Sequence, residues 1–349
     1  MSNLLKKPAV RWGALVVLVA LAVVLPLMLP EVANDTIARI CVFAVAVLGL
    51  NVVMGYGGQV SLGQIFFLGL GSYVTAYGAT HDWNIVLTFL AALVLPAIAG
   101  LVIALAAARL GGLAIAMVTI ALPIVGLPLA RRLDHWTGGS QGLSSRFSDA
   151  PEWTGLYHDQ WQLYLVLVIA VVTFVLVRNF VRGKFGRALA IVKENEAVAS
   201  SMGISPYWYK VLSFTIASLV GGISGFMYMS VVQYTSPETL AFHHSITLLA
   251  AMVVGGSATL AGSVIGGVYF VFVPVLTNAI NPNLTAMLQG AILLLVLFLL
   301  PGGLASLPHR IAGLRRPSGS RPGAPHREEA ATPAAQKAAS KQPTRKADQ

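Results

Sequence analysis

TLAFHHSITLLAAMVVGGSATLAGSVIGGVYFVFVPVLTNAINPNLTAMLQGAILLLVLFLLPGGLASLPH, residues 239–309, holds no Asp, Glu, Lys or Arg. A water-soluble domain does not leave so long a run uncharged, because its surface must be hydrated. Uncharged runs recur at 40–81, 83–108, 110–130, 160–177 and 211–237. Each is long enough to cross a hydrocarbon core of about 30 Å, which takes roughly 20 residues as helix. Hydrophobic residues make up 56% of the chain and charged residues 10%, with a mean hydropathy of +0.76. The fold class is therefore all-α and polytopic in a membrane. Backbone groups in lipid are satisfied only within helices or closed barrels, and these runs lack the in–out alternation of barrel strands.

The runs divide into about ten spans, near 12–30, 37–54, 62–80, 84–108, 112–130, 161–178, 211–233, 244–256, 260–277 and 285–300. The first has basic flanks like a signal peptide, but its apolar part exceeds the usual 7–15 or so residues. No small-residue cleavage site follows, so it is expected to stay as a helix. Alternating the loops from a cytoplasmic N-terminus leaves only Arg39, Arg131, Arg132 and Arg146 outside. Lys6, Lys7, Arg11, Arg109, Arg178, Arg182, Lys184, Arg187, Lys193, Lys210 and the basic tail then fall inside. Orientation follows this Lys/Arg bias, so both termini are expected in the cytoplasm. The chain divides into an N-terminal helix and connection (1–36), a membrane core (37–310) and a tail (311–349). The net charge of +10 sits mostly in residues 309–349, with nine Lys/Arg against three Asp/Glu. A tail so poor in large apolar residues forms no core and reads as disordered. Its cations suit anionic membrane lipid, and no nucleic-acid fold accompanies them.

Two loops do more than connect. The outer one, 131–160, is rich in Gly, Ser and aromatics, and reads as a solvated loop anchored by Trp136, Trp153 and Trp161, or as a docking surface. The inner one, 179–210, carries an apparent helix over Gly186–Met202, stopped by Gly203 and kept from resuming by Pro206. Such a helix either lies on lipid or enters a groove of a cytoplasmic partner.

Charged relay residues of the kind that couple transport to ions are missing from the spans. Neutral polar residues beside glycine take their place in NVVMGYGGQVSLGQIFFLGLGSY, 51–73. Asn51, Gly57, Gly58, Gln59, Ser61 and Gln64 are the candidate substrate pathway, because glycines at this density break a helix. A broken helix at membrane depth is tolerated where it faces protein or a cavity. A second joint, GGSATLAGSVIGGVY at 255–269, has the same order of features and suggests an internal repeat. Its Gly262–Gly266 spacing also suits plain helix packing. No Walker loop, metal-ligand spacing or nucleophile–base pairing appears, and His243 and His244, adjacent in sequence, diverge by about 100° on a helix. An enzyme is excluded, and neither a metal nor a cofactor is expected. Cys41 reads as a packing residue. A stand-alone secondary transporter or channel for a small neutral or zwitterionic solute is the rival to a partner-driven permease.

GYGGQVSLGQIFFLGLGSY (55–73), TGGSQGL (137–143), GRALAIVKENEAVASSMGIS (186–205), YTSPETLAF (234–242), VVGGSATLAGSVIGGV (253–268) and LPGGLASL (300–307) stand in this order. Together they resemble LivM-type permeases, membrane subunits of the ABC importer for branched-chain amino acids. The resemblance implies a bacterial inner-membrane importer with a LivH-type second permease, two cytoplasmic ATPases that bind the ATP, and a periplasmic substrate-binding protein. It implies ATPase coupling through Arg187, Glu194, Glu196, Ala197 and Gly203, and an outer gate or binding-protein contact at Thr137, Gly138, Gly139 and Ser140. Where such permeases carry Gly-Glu and then Arg, this chain has Pro123, Ile124 and Leu127.

Overall fold

Helices follow from the want of water in lipid: each span must bond its own N–H and C=O groups. The computed structural model describes residues 26–109, 112–146, 150, 155, 157–299 and 303–306. Most of the expected first span and all of the expected tail lie outside these residues. The long helices are α1 (Glu31–Leu50), extended by a π-helical turn over Asn51–Tyr56, α2 (Gln64–Thr80), α3 (Ile85–Ala107) and α4 (Gly112–Arg132). A short α5 (Asp134–Thr137) and strand β1 (Leu143–Ser144) follow, then α6 (His158–Arg182), α7 (Lys184–Glu194), α8 (Glu196–Ser201) and α9 (Pro206–Val232). Strand β2 (Tyr234–Thr235) leads to α10 (Phe242–Gly255), α11 (Leu260–Ile280) and α12 (Thr285–Leu299). Six stretches among the described residues are long and apolar enough to cross a membrane: Glu31–Tyr56, Ile85–Ala107, Ile115–Arg132, His158–Arg182, Pro206–Val232 and Leu260–Ile280. Phe242–Gly255 and Met287–Val296 are shorter apolar helices.

The helices at the centre are not the most apolar ones. In α9, 72% of the most apolar window is buried at a mean hydropathy of 1.6, whereas α3 buries 22% at 2.7. Lipid rewards apolar surface outside, while helix–helix contact inside needs small residues that let backbones approach. Gly71 of α2 and Gly222 of α9 meet this need. A Cβ on Gly71 would stand 2.5 Å from Gly222 O, and one on Gly222 would stand 2.2 Å from Ala92 O of α3. Gly262 and Gly266 likewise pack α11 on α10: a Cβ on Gly266 would lie 2.7 Å from Ala251 O. The spacing at the second joint is thus used for close packing.

The inner loop departs from the sequence reading. One helix was expected over Gly186–Met202; two are found, α7 and α8, divided at Asn195. Asn195 adopts extended backbone (φ −160, ψ 114), and its side-chain oxygen accepts from Ala197 N (2.9 Å) and Val198 N (3.2 Å). Asparagine is among the best N-caps because it satisfies amides that have no helical partner. Glu196 therefore begins a helix instead of lying inside one. Gly203 adopts a φ of +78° after α8, as expected of a helix stop, whereas Pro206, expected to keep the helix from resuming, is the first residue of α9, because Pro is tolerated at the first helical position.

Candidate functional site

Asn51 is where the two glycine-rich joints meet. It is fully buried, in the π-helical turn that ends α1. Its Nδ2 donates to Thr259 O (2.9 Å) and Ser263 Oγ (3.1 Å), and its Oδ1 accepts from Ala258 N (2.7 Å). Ala258 and Thr259 belong to the turn between α10 and α11, and Ser263 to the first turn of α11. Backbone left bare at such a turn costs about 1–3 kcal/mol per unsatisfied group, and one carboxamide meets several of these needs. The second turn completes itself with Thr259, whose Oγ1 accepts from Gly262 N at 3.1 Å as the N-cap of α11.

The first joint runs unwound from Gly57 to Gly63 before α2 begins. Gly58 (φ +68°) turns the chain in the left-handed region, where side chains other than Gly are disfavoured. Inward and outward residues then alternate: Gln59, Ser61 and Gly63 are buried, while Gly58 and Val60 are exposed. Gln59 Nε2 donates to Ser213 Oγ (2.7 Å) and Lys210 O (3.2 Å) on α9. Gln64 Nε2 donates to Ala217 O (3.1 Å), and Leu62 N donates to Thr119 Oγ1 of α4 (3.2 Å). The polar side chains singled out from sequence thus point inward and fasten the unwound segment.

The same segment is fastened to the inner loop. Lys193, at the end of α7, donates from Nζ to Gly55 O at 2.7 Å. A cation at a helix C-terminus is favoured by the helix dipole and caps a carbonyl without a helical partner. A Cβ on Gly58 would lie 2.7 Å from Lys193 Cγ, so the lysine stem rests on that glycine. Beside it, Lys210 Nζ pairs with Glu196 Oε1 at 2.5 Å, the lysine side chain 11% exposed and the glutamate 58%. Because Lys210 O also receives Gln59, the first residue of α8 connects to the unwound segment through one residue of α9. Arg187, Glu194, Ala197 and Gly203 are exposed around this attachment, together with the apolar side chains of Val198, Met202 and Trp208.

At the other end of the bundle, TGGSQGL folds into a tight cap. Thr137 is buried, donating from Oγ1 to Ala130 O (2.5 Å) and Leu133 O (2.8 Å) and accepting from Gly139 N (3.2 Å). Gly138 and Gly142 have positive φ, and a Cβ on either would stand 2.2 Å from a backbone oxygen. Strand β1 pairs antiparallel with β2, Leu143 against Thr235, so the motif joins YTSPETLAF across the fold. Tyr234 Oη donates to Gln141 O at 2.9 Å, and Arg131 pairs with Glu238 at 2.6 Å. Ser140 is exposed on this cap.

The structure therefore brings the Asn51–Gln64 set to Glu196 and keeps the Thr137–Ser140 set at the opposite end. The residues missed in the sequence are the partners of these groups: Lys193, Lys210, Ser213, Thr119, Thr259 and Ser263. Lys193 and Lys210 were legible only as members of a basic cluster, whereas Thr259 before an apolar run was a readable N-cap. Ile124 is 54% exposed, on the outside of α4. Among the described residues, no group of three or more His, Cys, Asp or Glu could hold a metal.

A bundle of apolar helices, interrupted at two hydrogen-bonded breaks and presenting an attached pair of short helices, defines a transport permease. Asn51, Gln59 and Gln64 fasten the breaks, and no catalytic constellation is found among the described residues. The chain belongs to the family of permease components of branched-chain amino acid transport systems, whose model matches residues 32–297. It is 28% identical over 311 residues to the high-affinity branched-chain amino acid transport system permease protein LivM of Escherichia coli K12, covering 81% of this chain and 72% of that protein. The LivM of Salmonella typhimurium LT2 matches at 29% identity with the same coverage. A solved structure, PsaBC from Streptococcus pneumoniae in complex with Fab, covers 83% of this chain and 99% of its own at 16% identity and a TM-score of 0.43.

Proposed function

We propose that this multi-pass permease component imports branched-chain or related amino acids through the bacterial inner membrane, driven by ATP hydrolysed on partner subunits. In this reading it works beside a LivH-type permease, two cytoplasmic ATPases and a periplasmic substrate-binding protein, and holds no cofactor itself. About ten spans with both termini in the cytoplasm place the 183–205 segment on the ATPase side and the cap on the outer side. The basic side chains of residues 311–349 would there meet anionic lipid.

The observation that supports this most is the double attachment of the inner loop to the first break. Lys193 holds Gly55 O, and Glu196 holds Lys210, whose carbonyl receives Gln59. An ATPase that grips the exposed surface around Arg187, Glu194, Ala197 and Gly203 would pull on the unwound segment directly. Asn51, Gly57, Gly58, Gln59, Ser61 and Gln64 then act as the moving joint of the pathway, with exposed Val60 facing the solute. Thr137–Ser140 form the rigid outer cap on which the binding protein docks.

Ala197→Trp in the assembled transporter tests the docking half of this reading. The added ring on an exposed surface should abolish binding-protein-stimulated ATP hydrolysis while subunit assembly persists. Stimulated hydrolysis at the wild-type rate would contradict it.

A further inference from the structure

Beneath the cap lies a cavity of about 220 Å³ that the permease reading does not use. Its floor is apolar: Phe43 of α1, Ile65 and Leu68 of α2, and Phe270 of α11. Phe43 stacks on Phe270 with ring centroids 4.0 Å apart. A cavity of about 150 Å³ lined by Leu, Ile and Phe takes up a benzene molecule, so this one has room for a branched side chain of a few carbons.

The opposite wall is polar. His244 of α10 lines it, and its Nδ1 is buried with no hydrogen-bond partner. Buried polar atoms are nearly always paired, so a ligand bearing a donor or acceptor would complete this one. Thr239 and Glu238 line the same wall. The Glu238 carboxylate is paired with Arg131 at 2.6 Å and its side chain is largely exposed, so the cavity has a carboxylate in its lining whose guanidinium partner lies outside that lining. Larger cavities of about 530 Å³ between α10, α11 and α12 and about 340 Å³ along α1 and α6 are not lined by a side chain with such an unpartnered atom.

A small, mainly apolar compartment with one unmet polar atom and a carboxylate in its lining suits a small amphiphile that carries an ammonium group, as an α-amino acid does. We propose that this cavity is a substrate station inside the subunit for an α-amino acid with a short branched apolar side chain. The side chain lies between the Phe43–Phe270 stack and Ile65–Leu68. The charged backbone of the amino acid meets His244 and Glu238. This site rests on the reading of the chain as an importer of that solute class, and names where in the chain the solute pauses.

The test is binding of radiolabelled L-leucine, with L-phenylalanine as competitor, to the purified transporter with all membrane and ATPase subunits and no binding protein. The wild type should bind L-leucine saturably at millimolar concentration. Thr239→Trp, which fills the cavity from its rim, should weaken binding about tenfold, or 1.4 kcal/mol. Phe43→Ala, which enlarges the floor, should shift the leucine-to-phenylalanine preference about tenfold towards phenylalanine, within the range that apolar pockets discriminate. If Phe43→Ala fails to assemble, Thr239→Trp decides alone. No L-leucine binding by the wild type, or unchanged affinity in an assembled Thr239→Trp complex, would overturn the site; uptake driven by the binding protein would then still uphold the importer. Cavity-dependent binding without ATP-driven uptake would uphold the site and overturn the importer.

Discussion

The two glycine-rich joints look alike in sequence and differ in what they are tied to. The turn between α10 and α11 is short, capped by its own Thr259, and joined through Asn51 to the first joint. The first joint is unwound over several residues and bonded to α4, α7 and α9. Glycine marks where a helix can stop; the polar neighbours decide whether the stop is a packed corner or an articulated one. The second joint is a packed corner, and the first is an unwound stretch tied to the inner loop, the one proposed to move.

Substitution at the glycines themselves separates the joints most. A Cβ on Gly255 would stand 2.0 Å from Gly262 O, a backbone atom that cannot step aside. Gly255→Val should therefore prevent assembly, with a cost at or above the roughly 1–3 kcal/mol of an overpacked core. At Gly58 the nearest atom is a flexible lysine carbon, 2.7 Å away, and φ is +68°. Gly58→Ala should cost the left-handed penalty of about 1–2 kcal/mol together with a displacement of the Lys193 stem, and still leave an assembled complex. Thermal unfolding and yield of the purified transporter check both, and equal losses would erase the distinction.

Asn51→Ala comes next, because it cuts the bond between the joints. It leaves Ala258 N without its acceptor and Thr259 O without its Asn51 donor, for a loss of about 3 kcal/mol at roughly 1–3 kcal/mol per buried group. Unfolding of the transporter should show it as a lower midpoint, and a midpoint within error of wild type would mean the joints do not depend on each other. Glu196→Gln should have the smallest effect. Its carboxylate is 58% exposed while Lys210 is 11% exposed, so the pair is worth about 1 kcal/mol or less. Stability in low salt should fall slightly and the difference should vanish in high salt; a large, salt-independent loss would show a buried role for Glu196.

Much of this was legible in the sequence. The uncharged run 239–309 alone required helices in a membrane, and helices lie over each expected span from 37–54 onward. The glycine-rich segment at 51–64 announced a break, because glycine density and polar spacing are local properties. The partners of that break were not legible. Lys193 lies 138 residues from Gly55, and nothing local separates it from lysines that answer only to the positive-inside bias. The split of the inner helix was a missed local signal, since an Asn followed by Glu-Ala is an ordinary helix start. The outer loop, read as solvated, hid a cap whose glycines are required by left-handed backbone and by contacts with a strand some ninety residues away.

The claim that the inner loop works the first break rests on Lys193 Nζ and Gly55 O. Lys193→Met keeps the apolar stem over Gly58 and removes the charged hydrogen bond, worth about 1.5–3 kcal/mol. In proteoliposomes carrying the complete transporter with its binding protein, uptake and ATP hydrolysis are measured together. The account predicts continued stimulated hydrolysis with amino acid taken up per ATP reduced about tenfold, the change that 1.4 kcal/mol produces. An assembled Lys193→Met complex with the wild-type ratio of uptake to hydrolysis would contradict it.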